Sequence, residues 1–540
     1  MFFILLLFSI TNSVNEDFNF YSLRALSTAY LMRGVEEAVQ NPSYLYLLPN
    51  SHFVTNFSDF SIKSLFLGGN ITSSLLREGA LFYLSNTNRP LRNTYGNLGF
   101  TRKDTTEIVD TNGNNVPDLI KYREIQTDGY QKDFFVKFIA SFQFVGDGWF
   151  AWASFLKDEK KTEVETPGDP LNPLGYFEFK EVVTTYPDSG FSGLTIASGD
   201  CAEIRSKNKT GGSLGGGIIF GDTSYITISL GYRKIEDINS SGAYYSFRVR
   251  PDTLTLVLLQ QRHDSDETYN GYDLNTGFEY LVKGQGLERI ISLSYSKTLL
   301  SPDTIWCSFQ NYSGRFVNVT DTLFSSFESL DIHKIYKVSS KPKVANRLAG
   351  NFSQVISIGK DVKLAFGVRG LYYHEYSSFS LRYNDSVSVS FNDGDTVRND
   401  VDDYEKSIFS RGTGTQWNER KSYTIQFPFG IEVNPFSLKG FYVRAGSVFS
   451  IKHEEESFEK SYDPIGGQTE IVIYGDSTRI STSKPIGGFR EKGVLSTQDF
   501  TLDHFVGTSL EMSRNLTFDM VFHITQGKIQ NVKAGFVIKF

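Results

Sequence analysis

From about residue 134 to the end of the chain, apolar and polar residues alternate with a period close to two. Phe134, Val136, Phe138, Ala140, Phe142 and Phe144 stand against Lys137, Ser141 and Gln143. Ile226, Ile228, Leu230 and Tyr232 repeat the pattern, as do Ile291, Leu293 and Tyr295. So do Leu364, Phe366 and Val368, then Tyr423, Ile425, Phe427 and Phe429, then Leu516, Phe518, Met520 and Phe522. Successive side chains on a strand project to opposite faces, so each run predicts a strand with one apolar and one polar wall. The chain ends the same way: Val532, Ala534, Phe536, Ile538 and Phe540 share one face, and Asn531, Lys533, Gly535, Val537 and Lys539 the other.

A water-soluble sandwich shows the same alternation with its apolar side turned inward. Segment length separates the two readings. The runs are about ten residues long, which a tilted spanning strand needs, whereas globular strands average about five to six. The connections supply a second test. With Phe540 at the periplasmic end, 513–515, 434–439, Gly359-Lys-Asp361 and Gly284-Gln-Gly286 fall on the periplasmic side. The stretches 263–275, 373–422, 452–504 and 525–531 then lie outside. Outer-membrane barrels have short periplasmic turns and longer outer loops. The pattern therefore predicts an all-β, transmembrane antiparallel barrel of about 14–18 strands.

Composition sharpens this picture. Of 540 residues, 46 are Phe and 29 Tyr, more rings than an exported soluble protein needs and suited to a lipid-facing band with aromatic girdles. Residues 1–13 carry a short apolar core followed by small polar residues, the form of a secretory signal peptide, although no Lys or Arg precedes the core. No later window is apolar enough for a spanning helix. The net charge of −7 with no basic stripe gives no sign of a nucleic-acid partner. Residues 14–60 do not read as a barrel strand and are expected to form a plug, leaving 61–540 for the barrel and its outer loops. Cys201 and Cys307 can pair in an oxidising compartment or stay apart.

Two resemblances follow from these residues. The terminal strand, with Phe536, Ile538 and Phe540 on one face, resembles the signal read by the bacterial barrel-assembly machinery. That implies the bacterial outer membrane, with its lipid and that machinery as partners. The N-terminal run Arg24-Ala-Leu26, then Asn41-Pro-Ser-Tyr-Leu-Tyr-Leu-Leu-Pro-Asn50, resembles the opening of FadL-like and PorV-like outer-membrane proteins. Pro42, Ser43, Leu45, Tyr46 and Pro49 fit that pattern; Leu48 and Asn50 depart from it, and the family's glycine run is missing. The resemblance implies a hatch carrying Arg24, Asn41, Pro42, Ser43, Pro49 and Asn50, and passage of hydrophobic or amphipathic small molecules. A PorV-like protein would instead be a non-transporting accessory or surface scaffold.

Candidate chemistry is sparse. Asp110, Asn112, Asn114 and Asp118 place oxygens at relative positions 1, 3, 5 and 9, a spacing that wraps calcium. Position 6 is Asn115 and position 12 is Lys121, so the loop departs from the EF-hand; an Asn-Gly turn is the other reading. No other cofactor is expected. Gly211-Gly-Ser-Leu-Gly215 has the spacing of a hydrolase elbow but precedes a glycine-rich strand, so no enzyme is expected. Polar positions of the alternating runs give the expected lumen lining: Lys363, Arg369, Glu432, Arg444, Asp519 and His523.

Overall fold

In the computed structural model, residues 22–540 are described except for 49, 59–63, 74, 91, 94–95, 98–99, 110–118, 128–129, 167, 170–171, 177, 187–190, 222, 251–254, 321–322, 393–402, 436–439, 467, 475–476, 484–487 and 526–527. A closed antiparallel barrel of 16 strands is formed. Its first eight strands are β1 (His52–Ser58), β2 (Ser64–Thr72), β3 (Leu76–Pro90), β4 (Tyr130–Gly146), β5 (Trp149–Thr166), β6 (Phe191–Phe220), β7 (Ser224–Arg250) and β8 (Thr255–Gly284). The second eight are β9 (Leu287–Thr320), β10 (Leu323–Ile358), β11 (Val362–Asn392), β12 (Tyr404–Val433), β13 (Phe441–Pro464), β14 (Phe489–Ser513), β15 (Leu516–Thr525) and β16 (Lys528–Lys539). Each strand pairs with its predecessor, and β1 closes the ring on β16 with Val54 opposite Val537. Closure leaves no sheet edge in the bilayer, where an unpaired backbone group would cost several kcal/mol, on the order of 2–7.

The two walls sort as the alternation requires. On β13, Val448 is 4% exposed and Phe449 39%; on β14, Phe505 is 2% and Val506 41%. The outward set forms a continuous belt: Phe142, Leu214, Ile228, Leu293, Phe366 and Phe427 are all exposed although apolar. Its rim is aromatic. Tyr232 stacks on Tyr272 at 6.0 Å between centroids, and Tyr372 lies 5.0 Å from Tyr423. An apolar belt with such a rim, on a closed barrel, defines a transmembrane barrel of the bacterial outer membrane.

Tight turns lie at the end that holds Phe540. Gly148, Gly221, Gly286 and Gly359 all have positive φ there, which glycine adopts without a Cβ clash.

The structure corrects several boundaries. The wall starts at His52, not at 61: β1 pairs with both β2 and β16. The stretches 263–275 and 373–422 are not loops. Both lie largely within strands β8, β11 and β12, which run on past the rim. Likewise 452–504 is mostly strand, 465–488 between β13 and β14 itself holding strands Gln468–Tyr474 and Ser477–Ser483, and of 525–531 residues 525 and 528–531 belong to β15 and β16. Beyond the bilayer a strand has no hydrocarbon to face, so the alternation fades, as in Gln260-Gln-Arg-His-Asp264. The 36 residues of β10 span about 120 Å along the strand at ~3.3 Å per residue, against a lipid band only ~25 Å tall. This outer wall has its own inward apolar cluster, Phe379, Leu381 and Tyr383 with Tyr269, Ile305, Ile335 and Tyr462. By contrast β15, β16, β1 and β2 are short.

Candidate functional site

The N-terminal segment folds into the lumen as three short pieces: α1 (Leu23–Ser27), α2 (Val35–Gln40) and a 3-10 turn over Pro42–Leu47. Its buried residues meet the inward face of the wall. Leu23, Leu26 and Ala29 pack on Val448, Phe505 and Val521. Ser22 caps α1 by accepting from Ala25 N at 3.0 Å. The helix then ends in two residues with left-handed backbone, Ala29 (φ 55) and Tyr30 (φ 65), a conformation rare without glycine. Tyr30 N donates to Ala25 O at 2.6 Å.

This strained turn sits where the wall has no side chains. A Cβ on Gly430 would come 2.6 Å from Thr28 O, and one on Gly446 would come 2.5 Å from Ala29 N. These glycines face each other across β12 and β13. They form a seat that brings the α1 backbone against the wall.

Below the seat lies a charge cluster. Arg24 donates twice to Glu432, Nε to Oε2 at 3.0 Å and Nη2 to Oε1 at 2.9 Å. Lys363 donates to the same carboxylate at 2.9 Å and Arg444 at 2.8 Å; Arg444 also reaches Asp519 at 2.9 Å. Four of the expected lumen residues and one expected hatch residue therefore meet in one network. Glu432 and Arg444 are almost fully buried, and Arg24 and Lys363 are over a third exposed. Arg369 lies elsewhere and donates to Tyr30 O at 2.7 Å. His523 does not meet Asp519: it stacks on Phe505 at 4.8 Å and approaches Asp503 at 3.2 Å.

The second half of the segment is held more extensively. Val35, Ala38, Val39, Tyr44 and Leu45 join a core with wall residues from Val54 to Ile290. Lys533, 1% exposed on β16, lies in the field of Glu36 and Glu37. Glu36 also accepts from Asn56 at 3.1 Å, and Glu37 accepts from Gly34 N at 2.6 Å and Ser22 N at 2.7 Å. Glu279 on β8 accepts from Tyr225 at 2.7 Å, Tyr44 at 2.5 Å and Asn41 at 3.3 Å, with Arg33 at 3.8 Å. Ser43 Oγ donates to Asn41 Oδ1 at 2.6 Å, and Pro42 starts the 3-10 turn, where a missing N–H costs nothing. At its end Arg77 donates to the carbonyls of Leu45, Tyr46 and Leu48 at 2.5–3.0 Å, satisfying oxygens that a helix terminus leaves unpaired. Asn50 O accepts from Asn70 at 3.0 Å.

A cavity of about 390 Å³ remains between the segment and β8–β11. It is lined by Arg24, Arg33, Lys283 and Lys363 and by apolar Met32 and Leu48, among others. Glu288 lines it too, and each cation faces a carboxylate: Arg24 and Lys363 hold Glu432, Arg33 lies 3.8 Å from Glu279, and Lys283 lies 3.9 Å from Glu288.

Some sequence expectations fall elsewhere. Pro49 and the loop with Asp110, Asn112, Asn114 and Asp118 lie outside the described residues, as do residues 1–21. Phe540 N donates to Ser51 O at 3.0 Å while its ring is exposed, and the Phe536 ring lies 5.2 Å from Phe518. Cys307 is a free thiol. Ser213 of the elbow-like run lies mid-strand on β6 and shares a hydrogen bond with Ser154 at 2.7 Å.

Neither a family model nor a curated protein matches the chain. Solved structures it is similar to include the FrpB iron transporter from Neisseria meningitidis, at 9% identity and TM-score 0.26, covering 92% of this chain and 82% of that one. Another is the ferric enterobactin receptor PfeA from Pseudomonas aeruginosa, at 8% identity and TM-score 0.27, covering 91% and 80%. The copper transporter OprC is matched at 6% identity and TM-score 0.25, again over 91% and 80%. Likeness at this level says nothing of what this chain binds. The class, an outer-membrane β-barrel, stands on the strand pairing and the lipid-facing belt.

Proposed function

We propose that this barrel is a transport channel for hydrophobic or amphipathic small molecules, and that residues 22–48 are its hatch. The supporting observation is how Glu432 is neutralised. Arg24 of the segment holds it, but so do Lys363 and Arg444 of the wall. When α1 leaves, no buried carboxylate is stranded, and stranding one would cost about 3–5 kcal/mol. The cavity beside the segment, where four cations and apolar side chains stand against a single lining carboxylate, Glu288, supports a cargo with an acidic end. The N-terminal pattern around Pro42, Ser43, Leu45 and Tyr46 supports the FadL-like transporter reading.

Deleting residues 14–48, which leaves β1 intact, is expected to convert a nearly silent barrel into one with large conductance steps in planar bilayers. Unchanged conductance would contradict a hatch. Uptake of a fluorescent fatty carboxylate into vesicles is expected to fall several-fold in the Arg33→Ala, Lys283→Ala double variant. Equal uptake would contradict the cargo class while leaving the hatch untouched.

A further inference from the structure

Among the described residues, the upper part of β14 has a neighbour on one side only. β13 pairs with β14 along its whole upper length, from Tyr462 opposite Phe489 down to Phe441 opposite Leu510. On its other side β14 pairs with β15 only from Asp503 down, because β15 ends at Thr525 opposite Asp503. Among the described residues nothing pairs with 489–502 on that side. Nearly every side chain there is exposed on both faces, with Val494 at 59% and Phe500 at 62%. The edge thus runs for about 14 residues, every second one turning its backbone donor and acceptor to the free side, a template for another strand.

Exposed edges are usually blunted by charge, proline or a covering element. Here three charges cluster at the tip, Arg490, Glu491 and Lys492. Below it Val494-Leu-Ser-Thr-Gln-Asp-Phe-Thr-Leu502 has one charge, no proline and strong strand formers. A row of backbone groups with alternating side chains is what β-augmentation uses, the main chain giving affinity and the side chains selectivity.

We propose that the β14 edge, 489–502, binds an extended segment of another polypeptide at the cell surface, adding it as a strand to the outer wall. This proposal is independent of transport. A second copy in the same membrane does not fit. Its β14 would run the same way, and the two-fold relation would join the lumen face of one sheet to the outer face of the other. Charge sets the partner's chemistry. Arg490 and Lys492 lie on the outer face, and the Arg490 guanidinium is 3.6 Å from Glu459 with its side chain 76% exposed. A fitting strand carries acidic residues on the outer face, alternating with apolar ones that lie against Leu495 and Thr497 on the lumen side.

The test uses the full barrel in detergent micelles with three capped nonapeptides: alternating Val and Glu, alternating Val and Lys, and the Val/Glu peptide with a central Pro. The Val/Glu peptide is expected to slow amide exchange within 490–498 at least tenfold and to bind at least tenfold tighter than the Val/Lys peptide. The Pro peptide should not protect. In Arg490→Glu, Lys492→Glu the order of the two peptides should reverse. Absence of protection by any peptide, equal protection by the Pro peptide, or an unchanged order in the reversed variant would each overturn the proposal. The wild-type exchange measurement stands alone if the variant fails to fold.

Discussion

At the scale of the residue, Glu432 carries the most consequence. Three cations converge on it, and Arg444 also reaches Asp519. Glu432→Gln leaves Arg24, Lys363 and Arg444 crowded around a neutral amide, so it is expected to cost about 3–5 kcal/mol. Arg24→Ala removes only a partly exposed donor while Lys363 and Arg444 keep the carboxylate paired, so it should cost about 1 kcal/mol or less. Urea midpoints in micelles check the ranking; an Arg24→Ala loss as large as that of Glu432→Gln would refute it. In the outer wall, burial pushes the Lys337 ammonium down to about 8, with its nitrogen 5.3 Å from the centre of the Phe379 ring. A folded-state pKa below the unfolded one means the unfolded chain binds the proton more tightly. Stability therefore rises with pH from about 8 to about 10.5. Lys337→Met should raise the thermal midpoint at pH 7, and the gain should shrink across that window. A gain independent of pH would show that the packing, not the charge, is at issue.

At the scale of the element, the glycine seat on β12 and β13 decides whether α1 can lie against the wall. Gly446→Val would place a side chain where Ala29 N now sits. It is expected to dislodge α1, exposing Arg24 and Arg33 to trypsin and raising bilayer conductance. Gly370→Val is the control, since a Cβ there would meet nothing within 4 Å. Equal trypsin resistance in both variants would contradict the seat. The outward apolar positions and the inward position of Lys363, Glu432, Arg444 and Asp519 were legible in the sequence, because lipid on one side forces a strict period of two. The seat was not, although Phe429-Gly430, Ala445-Gly446 and Val506-Gly507 repeat an apolar-glycine step on successive strands. The pairings of Glu279 with Tyr44 and of Lys533 with Glu36 and Glu37 were not legible either. A lumen position accepts any polar residue, and its partner lies hundreds of residues away. Strand ends were misread for a related reason. Past the rim the outer face meets water instead of lipid and the inner face is apolar only in places, as around Phe379, so composition there no longer separates strand from loop.

At the scale of the molecule, the barrel is tall on the β6–β14 side and low where β15, β16, β1 and β2 meet. The segment that fills the lumen is fixed unevenly. Residues 35–45 share a large apolar core with the wall, whereas α1 rests on a small cluster and an ion network. Its opening is therefore expected to start at α1, with amide exchange faster over 23–30 than over 35–45; the opposite order would place the moving part elsewhere. Everything depends on which flank of the wall meets lipid and which meets the lumen. Nitroxide labels placed one at a time at 423–427 on β12 read this directly in lipid vesicles. Labels at 423, 425 and 427 are expected to be accessible to oxygen and those at 424 and 426 shielded from both oxygen and a water-soluble nickel chelate. Deletion of 14–48 should open 424 and 426 to nickel alone. Loss of the alternation, or its inversion, would contradict the barrel's sidedness, and nickel access at 424 and 426 in the intact chain would contradict the occluded lumen.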